Sequence, residues 1–291
     1  MEATTAVPGH TSESGGTSDN VAHPLKRFQC RGPDKPTAPK IPKVKELLTT
    51  REMPTMPPST IMALIGCTDI VLGVDIETHD WESARGSKGT VGHFGFYTRH
   101  GSNDEDARIV QIGWATQLTS TGTIHVTERT VRPNGYAIAE KAAKYHGITQ
   151  ESAEQCGQPL HTVLTEFMDH AMRIDAMGVR IVIHHLEFDA SIIARELERA
   201  GLGCMVEAWG WMARHGICTM DPVIGKWVRD HLGMEIAPFG TGNVMSLDTM
   251  LRGIVPDSSH LWVDRHTAGC DTHLHVLLCR ALVKLAEAQT C

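Results

Sequence analysis

The sequence predicts an α/β protein in which a mixed β-sheet is flanked by helices. Three stretches of strand character come first, and helices interleaved with a further strand follow them. With 291 residues, of which 41% are hydrophobic and 21% charged, the chain has the composition of a globular protein with a sizeable core. We expect one folded domain over residues 62–291.

Residues 1–61 are predicted to form a disordered, partly basic arm. The first 25 residues contain few large apolar side chains. Residues 26–51 then carry eight Lys or Arg against two acidic residues, a net charge of +6. We favour a solvated linker here. The alternative is a flexible arm that contacts a nucleic-acid backbone through salt-sensitive ion pairs.

The first predicted strand, residues 69–76, carries the most informative residues. Its apolar run is typical of a strand buried on both faces, and it ends in Asp75-Ile76-Glu77. Because side chains alternate along a strand, Asp75 and Glu77 lie on one face and Ile76 on the other. Two neighbouring carboxylates repel each other, and a hard divalent cation held by oxygen ligands would compensate. Two acids that simply face water are the equally simple alternative.

A long polar, Gly-rich stretch over residues 79–107 separates this strand from the next, and residues 92–97 could form a hairpin inside it. Residues 108–115 and 123–131 then resume strand character on either side of a Ser-Thr-Gly turn. We expect these two strands to pair antiparallel.

Helices are predicted where apolar residues recur at helical spacing and a glycine or proline marks an end. Asp221-Pro222 is a typical start, and Gly147 and Gly178 are typical residues just beyond an end. The predicted helices cover residues 136–146, 160–176, 191–200, 221–232 and 270–288, and a further buried strand covers residues 179–183.

Two more acidic residues stand where predicted elements begin. Asp189 follows strand 179–183 at the start of a helix, and Asp271 lies in the first turn of the last helix. Helix capping or the helix dipole alone favours an Asp at such positions. His266 lies in the loop before Asp271, where an ordinary loop histidine is the simpler interpretation. Acids at three element ends, with a histidine beside one of them, nevertheless favour an active site.

In this order, the residues resemble the motifs of the DEDD exonuclease superfamily. Asp75-Ile76-Glu77 is similar to the first motif, DxE, and the segment from His184 to Asp189 to the second, usually His-Asn-x-x-Phe-Asp. The spacing His266-x-x-x-x-Asp271 matches the third motif in its histidine form, and Thr267 stands where the tyrosine branch has Tyr. The resemblance covers about residues 66–290 and is to the DEDDh branch, which includes DnaQ-like proofreading subunits.

This resemblance implies a ribonuclease H-like fold with a mixed five-stranded sheet and a metal-dependent 3′–5′ exonuclease. The implied partner is single-stranded DNA or RNA with a free 3′ end, which is hydrolysed to nucleoside monophosphates with two Mg²⁺ or Mn²⁺ ions. It assigns Asp75, Glu77, Asp189 and Asp271 to the metals. It assigns the general base to His266, since an unperturbed histidine pKa of about 6.5 suits that role near neutrality.

Four further residues in or beside these motifs are predicted to contact the substrate, namely Thr78, Ile76, His185 and Phe188. Two positions depart from the family pattern. His185 stands where Asn is usual, and His79 where a small or hydroxyl residue is usual. We therefore expect any altered substrate preference to originate there.

Other features exclude or weaken competing classes. The eight cysteines include no CxxC pair and are interpreted as reduced thiols. Cys270, His273 and His275 do not share one helix face, which disfavours a structural zinc. There is no transmembrane run or signal peptide, so we expect an intracellular protein, nuclear or cytoplasmic, without a membrane partner. A protein partner or a homodimer stays open.

The main alternative is a catalytically weak nucleic-acid-binding or scaffold protein that retains the exonuclease fold. The net charge of −7 gives no global basic signature, although an enzyme that holds a strand end through metals needs little basic surface. The presence of all four acids and the histidine favours the enzyme. A metal-independent hydrolase is disfavoured because neither a G-x-S-x-G motif nor a P-loop occurs.

Overall fold

The computed structural model describes five stretches of the chain and confirms the predicted fold class. Within them, eight α-helices flank one mixed five-stranded sheet. The basic arm, the domain start near residue 62 and the hairpin at 92–97 lie outside the described residues. The described residues are 71–80, 107–117, 122–232, 245–255 and 266–290.

The sheet has the strand order β3-β2-β1-β4-β5. Strand β1 pairs antiparallel with β2 and parallel with β4, while β2–β3 is antiparallel and β4–β5 parallel. The carboxyl ends of β1, β4 and β5 therefore lie at one edge of the sheet. The strands are β1 (Val71–Thr78), β2 (Ile109–Gln117), β3 (Ile124–Thr130), β4 (Arg180–Ile183) and β5 (Ile217–Cys218).

The helices follow β3 and alternate with the last two strands. None of those that the structure describes contains a segment long and apolar enough to cross a membrane. The helices are α1 (Glu140–His146), α2 (Gln150–Cys156), α3 (Leu160–Asp175), α4 (Leu186–Arg199), α5 (Val206–His215), α6 (Pro222–Leu232), α7 (Leu247–Ile254) and α8 (Ala268–Thr290).

Helix starts differ from the prediction at two places that matter for function. Helix α1 begins at Glu140 rather than at 136, because Ala139 is extended and the Tyr136 hydroxyl donates to the Ile109 carbonyl at 2.8 Å. Helix α4 begins at Leu186 rather than at 191, with His185 as its N-cap. Asp189 consequently lies in the first turn of α4 and not at its cap.

Four short elements were not predicted, namely α2, α5, β5 and α7. Helix α2 buries only Ala153, so its apolar periodicity is weak, and its start depends on a capping box between Thr149 and Ser152. Strand β5 has only two residues. Such short elements depend on their neighbours in the fold more than on local pattern.

The two faces of β1 are covered by different helices. Leu72, Val74 and Ile76 belong to a core that includes Phe167 of α3 and Trp209 of α5. On the opposite face, Val71 packs with Val276 and Cys279 of α8. A second apolar cluster joins α8 to α6 and α7, with Val228, Met250 and Leu278 at its centre. Helix α8 is therefore held between the sheet and two smaller helices.

Candidate active site

Three carboxylates meet at the carboxyl end of β1, on the face that α8 covers. Carboxylate oxygens of Asp75, Glu77 and Asp271 all lie within 4.8 Å of one another. The Asp75 side chain is 16% exposed, and Glu77 and Asp271 are buried at 9% and 8%. Asp75 and Glu77 thus lie on one face of β1 and Ile76 on the other, as predicted. The fold brings Asp271, which is distant in the sequence, next to the two acids of β1.

A glycine in β2 allows α8 to approach the sheet this closely. Gly113 lies directly opposite Asp75 in the β1–β2 register and opposite Glu128 in the β2–β3 register. A Cβ atom at Gly113 would lie 2.3 Å from the carbonyl oxygen of Ala268, in the first turn of α8. Only glycine fits at such a backbone contact. The contact therefore determines how closely the first turn of α8, which carries Asp271, approaches the sheet.

The first turn of α8 is capped by side chains from the sheet. Ala268 N–H donates to Gln111 Oε1 at 2.8 Å, and Gly269 N–H donates to Glu128 Oε2 at 2.8 Å. Both contacts satisfy amide groups that the helix itself leaves without a partner, and the Glu128 charge complements the helix dipole. The N-terminus of α8, and Asp271 with it, is therefore fixed to β2 and β3.

The fourth acid of the predicted set, Asp189, is carried by α4 and is 5% exposed. Burial and the neighbouring Asp271 carboxylate raise the pKa of Asp189 well above its ordinary value. Its oxygens lie outside the set of three within 4.8 Å, but Asp189 is close enough to Asp271 for the Asp271 charge to act on it. All four predicted acids therefore converge at one end of the sheet.

This donor set fits a hard divalent cation. It consists of carboxylate oxygens at short mutual distances, which is the chemistry that Mg²⁺ and Mn²⁺ prefer over softer nitrogen and sulfur sites. Crowded, buried carboxylates repel each other, and a bound cation offsets that repulsion. Asp75, Glu77 and Asp271 could hold such an ion directly, with Asp189 beside them.

Two histidines beneath the carboxylates were not among the predicted site residues. His275 is 1% exposed, and its Nδ1 lies 3.0 Å from the Val74 carbonyl, which can only accept a hydrogen bond. Its Nε2 consequently faces Asp75 Oδ1 at 3.9 Å. The His184 ring lies 6.3 Å from the His275 ring, and His184 Nδ1 contacts Thr219 Oγ1 at 3.0 Å. His275 therefore lies against Asp75, and His184 lies next to His275.

The signal for His275 was available in the sequence. His275 follows Asp271 by four residues, so both lie on the same face of one helix. His275 was related only to Cys270 and His273, as a possible zinc ligand, and its position one helical turn from Asp271 was therefore missed.

His266 lies in the turn before α8, as predicted, and has an unusual backbone. Its φ is 68°, a left-handed conformation that non-glycine residues seldom adopt. Its ring stacks on the ring of Tyr145 at the end of α1, with centroids 3.9 Å apart and planes inclined by 31°. Tyr145 itself was not predicted as a site residue.

The predicted substrate contacts occupy different environments. Thr78 is 7% exposed and follows a register shift after Glu77, close to the acids. Ile76 is a core residue on the opposite face of β1. The rings of His185 and Phe188 are stacked in parallel at 5.4 Å. Desolvation lowers the pKa of His185 to about 3, so its ring is neutral near neutral pH.

His79, which departs from the family pattern, has structural contacts. Its Nδ1 accepts a hydrogen bond from Arg108 N–H at 3.2 Å, and its ring meets that of Tyr136 edge-on at 5.3 Å. These contacts join the end of β1 to the residue before β2 and to the segment after β3. The expectation that His79 alters substrate preference stays a prediction.

Comparison with known proteins gives a likeness in structure and not in sequence. No protein-family model matches the chain, and neither does any curated protein sequence. Cell-death related nuclease 4 (CRN-4) is similar with a TM-score of 0.51 at 13% identity, over 75% of this chain and 64% of that one. Exonuclease I of Methylocaldum szegediense has a TM-score of 0.52 at 15% identity, over 75% and 41% of the two chains.

Exonuclease I of E. coli, solved in complex with a dT13 oligonucleotide, gives a TM-score of 0.51 at 16% identity, over 76% of this chain and 42% of that one. The present chain therefore spans less than two thirds of the length of these three proteins. At such identities the likeness establishes the fold.

Proposed function

We propose that this protein is a metal-dependent 3′–5′ exonuclease that releases nucleoside monophosphates from the 3′ end of single-stranded DNA or RNA. The observation that supports this function best is the convergence of Asp75, Glu77 and Asp271 within 4.8 Å at the end of β1. The fold, which is shared with Exonuclease I and CRN-4, is consistent with that chemistry.

Each site residue has a distinct part in this proposal. Asp75, Glu77, Asp189 and Asp271 hold two Mg²⁺ or Mn²⁺ ions. When bound, these ions supply positive charge that stabilises the attacked phosphate and the leaving oxygen. A ring nitrogen of His266 takes the proton from the attacking water. Thr78, His185 and Phe188 line the approach of the terminal nucleotide, which must be splayed out of any duplex.

The test uses single-stranded DNA and RNA labelled at the 5′ end, incubated with the protein in Mg²⁺ or in EDTA. We expect a ladder that shortens from the 3′ end in Mg²⁺ and is abolished by EDTA. Asp75→Asn keeps the shape of the side chain but removes its charge, and should lower the rate by about 10³-fold. Asp169→Asn, at an exposed position on α3, is the matched control and should leave the rate unchanged.

A closed circular single strand separates exonuclease from endonuclease action, because it offers no 3′ end. Cleavage of the circle, or cleavage that persists in EDTA, contradicts the proposal. The second candidate is a binding protein that retains the fold. A binding protein would bind the labelled strand without shortening it. Its Asp75→Asn variant would bind the strand as well as the natural chain does.

A further inference from the structure

We propose that Tyr145 is a positioning residue that holds the His266 ring in the orientation needed to accept a proton. This inference rests on the proposed function, in which His266 is the general base. It adds a residue on α1, outside the three motifs, to the machinery of the site.

The contact between the two rings is close and joins distant parts of the chain. The ring centroids are 3.9 Å apart and the planes are inclined by 31°, so the two rings are in direct contact. Tyr145 is nevertheless 57% exposed, so burial in a core does not explain a large aromatic side chain at this position.

The backbone of His266 makes such a support necessary. With φ at 68°, His266 holds a strained conformation, which persists only where surrounding contacts determine it. It directly precedes Thr267, which starts the capping of α8 through a hydrogen bond from Cys270 N–H to Thr267 Oγ1 at 3.2 Å. The capped helix therefore fixes the backbone of His266, and the stack on Tyr145 fixes its side chain.

Tyr145 can serve as a support because the end of α1 is itself anchored. The next residue, His146, is 4% exposed, and its Nδ1 accepts a hydrogen bond from Ile148 N–H at 3.0 Å. Burial lowers the pKa of His146, and the backbone of Thr78 partly opposes this shift, which places the ring beside Thr78. Because Thr78 follows Glu77 on β1, the end of α1 ties Tyr145 to the strand that carries the acids.

The stack therefore links the proposed base to the proposed metal ligands through a path that avoids the α8 helix. His266 contacts Tyr145, the neighbouring His146 lies against Thr78, and Thr78 adjoins Glu77. A displacement of about 1 Å between a base and the water it activates can lower a rate by about a hundredfold. An anchored aromatic ring limits that displacement.

The test compares Tyr145→Ala with Tyr145→Phe in the full chain, on labelled single-stranded DNA with Mg²⁺. We expect Tyr145→Ala to lower kcat by about ten- to a hundredfold with KM changed less than about twofold. Tyr145→Phe keeps the ring and should retain most of the activity. In a His266→Ala background, Tyr145→Ala should have no further effect, because the group that it positions is absent.

Three results would overturn the proposal. A rise in KM at constant kcat would show that Tyr145 stacks on a nucleobase instead. Equal damage by Phe and Ala would assign the effect to the hydroxyl group, and an unchanged loss in the His266→Ala background would show that the two residues act separately. If the protein without any substitution shortens no strand, the proposed function itself is wrong. That failure is recognised because the unsubstituted protein is assayed beside the variants.

The stack can also be tested without activity. Because a tyrosine ring shifts the NMR signals of protons that lie over it, the ring-proton signal of His266, assigned with a His266→Gln variant, should move in Tyr145→Ala and stay nearly in place in Tyr145→Phe. A signal that stays in place in both variants would show that the rings are not stacked in solution.

Discussion

The fold buries carboxylates in two opposite ways. On α4, the Glu196 side chain is completely buried, and its Oε1 accepts hydrogen bonds from Arg108 at 2.8 Å and Arg199 at 2.5 Å. At the end of β1, Asp75, Glu77 and Asp271 are instead gathered within 4.8 Å of each other. The first arrangement pairs one acid with two cations from the chain, and the second places acids next to acids.

The two arrangements differ in how the buried charge is compensated. Burial, and next the neighbouring Glu196 carboxylate, raise the pKa of Tyr136 to about 12. At the other site, burial and next the Asp271 carboxylate raise the pKa of Asp189, so both oppose the ionisation of Asp189. Clustered acids of this kind are stabilised by a divalent cation, whereas Glu196 needs none.

The largest effect should come from the glycine that lets α8 reach the sheet. In Gly113→Ala, the new Cβ meets backbone atoms that cannot move aside, which should lower the free energy of unfolding by about 3 kcal/mol. It should also shift Asp271 and reduce cleavage. The control is Gly203→Ala, since nothing lies within 4 Å of a Cβ there. Chemical denaturation measures both, and equal stability of the two variants would contradict this account of α8.

Divalent cations should stabilise the second arrangement alone. At a Mg²⁺ concentration about a hundred times the Kd, the free energy of unfolding should rise by about 2.7 kcal/mol, and removal with EDTA should reverse the rise. Asp75→Asn should lose this response yet unfold no more easily than the natural chain in EDTA, because it relieves a repulsion. Thermal unfolding with and without Mg²⁺ gives the comparison, and a Mg²⁺ response that survives in Asp75→Asn would argue against the site.

Glu196→Gln should have the opposite pattern. Removing the charge leaves Arg108 and Arg199 without their shared negative charge, which should lower the free energy of unfolding by about 2 kcal/mol whether or not Mg²⁺ is present. The rise in stability with Mg²⁺ should match that of the natural chain. Loss of the Mg²⁺ response in this variant would show that the two groups of acids are coupled and not independent.

The smallest effect concerns the backbone at His266. Because φ is 68°, glycine suits this position better than any other residue, and His266→Gly should be more stable than His266→Ala by about 1 kcal/mol. Both variants remove the imidazole and should lose activity alike. Equal stability of the pair, measured by urea denaturation, would mean that His266 is relaxed in solution.

Much of the architecture could be predicted from local sequence patterns. The α/β class, the strand that carries Asp75 and Glu77, the antiparallel pairing of β2 with β3 and the helix that carries Asp271 all follow from apolar periodicity and from turn residues. The short elements α2, α5, β5 and α7 were missed because two to ten residues give few repeats of any sequence pattern. Helix α4 was predicted to start too late, because His185 caps it without a side-chain hydrogen bond.

The sequence alone identified five side chains of the candidate site. The motif order brought forward Asp75, Glu77, Asp189, His266 and Asp271, because their residue types and spacings are local properties of the chain. It could not reveal how they meet, since their distances depend on contacts between residues far apart in sequence.

Only the tertiary structure decided that Gly113 makes room for α8, and that Gln111 and Glu128 cap it. The same holds for Tyr145, which meets His266 across the fold. The physical reason is that close packing and hydrogen bonding act between surfaces that folding brings together, and a local sequence pattern carries no record of which surface will be its neighbour.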